Sequence, residues 1–173
     1  MNINRTKKLA VCAMLSAAAL IFSYVEALIP FSVGIPGVKL GFANIIVVFA
    51  LYTLDEKYAL AINAVRILLA GLLFGSPFST LYAFAGGLIS FGAMLLARRA
   101  KIFSVTGVSM AGGVFHNLGQ ILAAAWIVHT PQIILYFPLL IFSGIVAGTV
   151  NGIIVQFCLR RLIFLKRGGL YHE

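Results

Sequence analysis

The stretch that most constrains this chain is residues 105–128, an uncharged apolar run with three strongly polar side chains, His116, Asn117 and Gln120, near its centre. On a helix Gly113, His116, Asn117 and Gln120 follow i, i+3, i+4, i+7 and share one face. The run is long enough to span a bilayer, and polar groups at that depth do not face hydrocarbon without a penalty. They face either a neighbouring helix or a cavity. As interhelical hydrogen bonds each would contribute roughly 0.6–2 kcal/mol. Three on one stripe, beside glycines that let a backbone or a ligand come close, favour the wall of an internal site.

The rest of the chain has the same character. It is 62% hydrophobic and 10% charged, with mean hydropathy +1.07. The composition is that of an all-α integral membrane protein with several helices. No strand-type alternation suggests a β-barrel. The net charge of +9 does not point to nucleic acid, because the basic residues cluster at the ends of apolar runs, where they orient a membrane protein among lipids. Cys12 and Cys158 fall at the start of the first run and the end of the last, on one expected side, so no structural disulfide is expected. No zinc spacing is present, and neither a metal nor a cofactor is expected. Arg5-Thr6-Lys7-Lys8 before an apolar run resembles a signal peptide, but the run continues past Ser16-Ala17-Ala18-Ala19, so an uncleaved transmembrane helix is expected.

Six spans are expected within a single membrane domain, residues 1–173, at about 9–28, 36–54, 58–74, 78–96, 105–128 and 132–159. The first holds Ala13-x-x-x-Ala17, a small-residue face that permits close helix contact inside the bundle or with a partner. The connector 29–37, with two prolines and two glycines, reads as a shaped, apolar lid on the outer side. Gly144-x-x-x-Gly148-x-x-x-Gly152 in the sixth span reads as a packing face, with Asn151 beside it as a helix-to-helix hydrogen bonder. Of the 13 Lys and Arg, all but Lys39 and Arg66 fall on one side of a six-span arrangement. The positive-inside rule then places both termini in the cytoplasm.

In that orientation Glu26, Lys39 and Asn44 lie in the outer part of their spans, and Arg66, His116, Asn117 and Gln120 lie near mid-depth. All seven are candidates to line one cavity that opens outward. Arg66 weighs most, because a mid-membrane cation costs roughly 3 kcal/mol on insertion scales and is kept for a partner or a substrate. Its alternative partner is Glu26, as an ion pair inside the bundle, and Lys39 could instead snorkel to the headgroups.

Three segments carry a resemblance: Pro36-Gly37-Val38-Lys39-Leu40-Gly41-Phe42-Ala43-Asn44-Ile45, His116-Asn117-Leu118-Gly119-Gln120 and Gly148-Thr149-Val150-Asn151-Gly152. With these the chain resembles the bacterial membrane proteins called heptaprenyl diphosphate synthase component I, or the Gx transporter family, over nearly its whole length. That family in turn resembles the substrate-binding S components of energy-coupling factor transporters. This second resemblance implies a small-molecule site in the outer half. It also implies docking to a membrane coupling subunit with its ATPase subunits, through an Ala-x-x-x-Ala face that maps onto Ala13 and Ala17.

The chain's own chemistry limits what it does alone. Prenyl chain elongation uses aspartate-rich motifs that hold Mg²⁺ against a diphosphate, whereas the single aspartate here is Asp55, in a turn. There is no Gly-x-x-x-x-Gly-Lys-Ser/Thr loop for ATP hydrolysis and no convincing Ser-His-Asp or Cys-His set. A non-enzyme is expected. One reading is a substrate-binding, S-component-like subunit for a small anionic or aromatic molecule such as a vitamin, a flavin or a quinone or isoprenoid precursor. The alternative is a non-catalytic accessory subunit for heptaprenyl diphosphate or quinone biosynthesis or electron transfer. The first uses the polar stripe as a site; the second leaves it as interhelical hydrogen bonds.

Overall fold

The computed structural model describes residues 5–28 and 41–168. Six α-helices follow one another: α1 (Arg5–Leu28), α2 (Phe42–Thr53), α3 (Glu56–Phe74), α4 (Pro77–Ala100), α5 (Val105–Ile127) and α6 (Phe137–Gly168). No strand occurs among the described residues. The expected lid and Lys39 lie outside them, as does the expected start of the second span at Pro36.

The helix starts have local causes. Ser76 caps α4 by accepting from the Ser79 N–H while the Ser79 hydroxyl oxygen accepts from the Ser76 N–H, and Pro77 takes a first-turn position where a missing N–H costs nothing. Ser104 caps α5 by accepting from Gly107 N–H at 3.2 Å. Two expectations shift. The basic pair Arg98 and Arg99, expected in a loop, belongs to the last turn of α4, where cations meet the negative end of the helix dipole. The expected single span over 132–159 is a short 3-10 segment, Pro131–Tyr136, followed by α6. Pro138 then sits in the first turn of α6, which needs no donor from it.

Four segments are long and apolar enough to cross a membrane: Arg5–Leu28, Glu56–Phe74, Pro77–Ala100 and Gln132–Phe164. The protein is a multi-pass membrane protein. α5 has sufficient length at 23 residues, but its His, Asn, Gln, Ser and Gly residues lower its hydropathy. α2 spans only 12 residues and is the buried element of the bundle. Val47, Val48, Ala50 and Leu51 are fully buried and meet Ala59 and Ile62 of α3, Met94 of α4, Val108 of α5 and Val155 of α6 in one core. A helix that is apolar on nearly all sides belongs in such a core or in lipid.

The most extensive packing is α5 against α6 and α4, and glycine sets it. A Cβ on Gly148 would lie 2.6 Å from Met110 Cα, one on Gly152 2.6 Å from Thr106 Cα, and one on Gly119 2.7 Å from Gly86 Cα. Backbones approach this closely only where side chains are missing, and in lipid such contact is a main source of helix attraction. At one end of the bundle Lys8 pairs with Asp55 at 2.7 Å and Glu56 with Arg99 at 2.7 Å, gathering α1, the α2–α3 turn and the end of α4. These exposed pairs contribute little stability, but they show which helix ends lie together.

Candidate functional site

A cavity of about 210 Å³ lies within the bundle, with lining residues from α1, α3, α4, α5 and α6 and from the start of α2. Glu26, Asn44, Arg66, His116, Asn117 and Gln120 all line it. Residues far apart in sequence therefore converge on one space, together with Ser23, Thr80 and Asn151.

Each polar side chain holds its place differently. Arg66 Nη2 donates to Asn63 Oδ1 at 2.7 Å, and Asn63 Nδ2 donates to Gly87 O at 3.0 Å. Gly87 makes this link possible, since a Cβ there would come within 3.2 Å of Asn63 Nδ2. Arg66 Nε is buried and has no hydrogen-bond partner among the described residues. Among the described residues Arg66 forms no ion pair. Glu26 instead accepts a hydrogen bond from the Gly41 N–H. Gly41, at φ 69°, caps α2 in the left-handed region, and its carbonyl accepts from Asn151 Nδ2 at 3.1 Å. Glycine fits this conformation without a Cβ penalty. One residue thus ties α1, α2 and α6 together at the edge of the cavity.

The stripe on α5 divides. Asn117 is buried and its amide donates to Leu140 O at 2.7 Å and to Ser143 Oγ at 3.2 Å, so it bonds α5 to α6 as well as lining the cavity. Gln120 and Asn44 line the cavity with no hydrogen bond from their carboxamides to any described residue. Gly86 gives room to the stripe: a Cβ there would meet Gln120 Cγ at 2.8 Å and His116 Cε1 at 3.2 Å.

Sequence reasoning passed over Asn63, although it stands one turn before Arg66 and shares its face. It assigned Asn151 to helix contacts, which is what the bond to Gly41 is, without placing it beside the cavity. Ala13 and Ala17 are both exposed on α1, outside the buried core of the described helices.

The geometry suits a small polar molecule. One guanidinium, one carboxylate and several carboxamides face a space walled by glycine and alanine, and no described cluster of His, Cys, Asp or Glu is arranged to hold a metal ion.

The family model described as heptaprenyl diphosphate synthase component I matches residues 15–158. The chain belongs to that family. Comparison with curated proteins found no match, and comparison with solved structures found none.

Proposed function

We propose that this member of the component I family is a non-catalytic subunit of the bacterial cell membrane that holds a small molecule in its intramembrane cavity for a partner protein to use. The observation that carries the reading is the convergence of Glu26, Asn44, Arg66, His116, Asn117 and Gln120 on one cavity. Polar side chains spent only on helix contacts would be paired with each other or with backbone. Among the described residues Gln120, Asn44 and Arg66 Nε have no such partner. The family name, heptaprenyl diphosphate synthase component I, supports a role as one component beside others. The chain's only aspartate, Asp55, pairs with Lys8 at the end of the bundle rather than entering the cavity, which supports an accessory role beside a separate catalytic component.

A second reading, the substrate-binding subunit of an energy-coupling factor transporter, is favoured by one observation: Ala13 and Ala17 stand exposed on α1, where another membrane protein could approach closely. Both readings place a ligand in the cavity and a partner outside it. They part on the partner's identity, a prenyl synthase or a coupling subunit with ATPases.

Native mass spectrometry of the purified full chain tests the shared part. The expected result is a bound small molecule that is lost when Gln120→Leu and Asn44→Leu block the cavity's free amides. A chain that purifies folded and carries no adduct, from cells that also produce its partner, overturns the reading. Affinity capture from the same cells then separates the accessory role from the transport role by what accompanies the chain.

A further inference from the structure

Three features of the cavity bear on what it accepts, given the reading above that it is a ligand site. The first is size. A cavity of about 150 Å³ lined by apolar side chains takes a benzene, and drug-sized ligands occupy about 300 Å³ or more. At about 210 Å³ the space fits a single substituted ring or something equally compact. A polyprenyl tail is several times too large.

The second is charge. Arg66 offers a buried Nε with no partner among the described residues, while Glu26 contributes a carboxylate to the same lining. A single anionic group can complete the guanidinium's hydrogen bonds in a charge-assisted pair. A diphosphate would bring several negative charges into a small space that already contains a carboxylate, where repulsion is poorly screened.

The third is the pair of uncommitted carboxamides, Asn44 and Gln120. Each presents a donor and an acceptor side by side. Such groups pair best with a neighbouring donor and acceptor on a ligand, as carboxamide side chains do at base edges.

We infer that the cavity binds a compact ring carrying one acidic group and an amide-type edge, and that it does not bind a prenyl diphosphate. The acid meets Arg66, which Asn63 holds in place, and the amide edge meets Gln120.

The test is calorimetric titration of the purified full chain in detergent with four probes: uracil-6-carboxylate, uracil, benzoate and dimethylallyl diphosphate. Uracil-6-carboxylate should bind at least about 10-fold tighter than each of the others, since it alone has acid, ring and amide edge. Arg66→Gln should weaken it about 10- to 100-fold, with Arg66→Lys falling between. Gln120→Leu should remove its advantage over benzoate while the variant's melting temperature holds, an outcome a general loss of structure would not produce. Tighter binding of dimethylallyl diphosphate overturns the inference but leaves the ligand-site reading standing. If no probe binds, the molecule that co-purifies decides: a compact ring acid upholds the inference, and any other occupant overturns it. No probe bound and no molecule co-purified overturns the inference and the ligand-site reading together.

Discussion

Arg66 Nη2 donates to Asn63 Oδ1 at 2.7 Å, one helical turn back along α3, and the same Asn63 donates from Nδ2 to Gly87 O on α4. A single asparagine therefore aims the cavity's cation and fastens α3, which carries it, to α4.

Asn63→Ala breaks both links at once and leaves the buried Arg66 guanidinium without its Asn63 acceptor. It should lower stability by about 1–3 kcal/mol, measured by thermal unfolding in detergent. It should also weaken binding of an anionic ligand, because Arg66 is no longer held toward the cavity. Unchanged melting and unchanged binding would remove Asn63 from both roles.

Glycine substitutions should separate by location. A Cβ on Gly144 would come 2.9 Å from Gly113 O and from Val114 Cα, whereas one on Gly92 would have no neighbour within 4 Å. Gly144→Leu should force α5 and α6 apart and destabilise the bundle by about 1–3 kcal/mol or more. Gly92→Ala should raise stability by about 0.4–1 kcal/mol by removing backbone freedom from the unfolded chain. Melting temperatures of the two variants, measured side by side, check the contrast; equal loss in both would refute it.

Orientation follows from the basic residues. In a chain whose Cys12 and Cys158 are replaced by serine, cysteines at Ser76 and Gln132 should react with an impermeant thiol reagent added outside intact cells. Cysteines at Lys57 and Lys101 should react only after permeabilisation. The opposite pattern would invert the proposed topology, and with it the outward opening of the cavity.

Ala13 and Ala17 are exposed on α1. Replacing both with leucine should leave the melting temperature and ligand binding of the isolated chain unchanged, since both lie outside the buried core of its described helices. Co-purification of a membrane partner should fall sharply if these alanines form its docking face. Undiminished capture of the partner would place the docking face elsewhere.

Much of the site could be read along the chain because its signals are local. His116, Asn117 and Gln120 share a face by helical period alone, and Arg66 is conspicuous as a cation amid apolar residues. Asn63 was missed because an asparagine between an isoleucine and an alanine has no charge to mark its depth. Its meaning comes from Gly87, which is distant in sequence. Glu26 presented the reverse problem. A lone carboxylate and a lone mid-span cation suggest an ion pair, yet Glu26 accepts from the Gly41 N–H, and that contact depends on the left-handed turn that starts α2.

By itself the sequence determined that this chain is helical, belongs in a membrane, and carries polar groups at a depth where they must be enclosed. Those properties depend on residue hydrophobicity and on a period of 3.6 residues, which act within a single segment. The tertiary structure alone decided which polar groups bond one another and which line the cavity without a partner among the described residues. Helix depth and rotation are set by contacts between distant segments, here by Gly86 against Gly119 and Gly144 against Gly113. Where those backbones meet, they bring Glu26, Asn44, Arg66 and the α5 stripe to a single cavity, turn Asn117 toward α6, and leave Gln120 facing the open space.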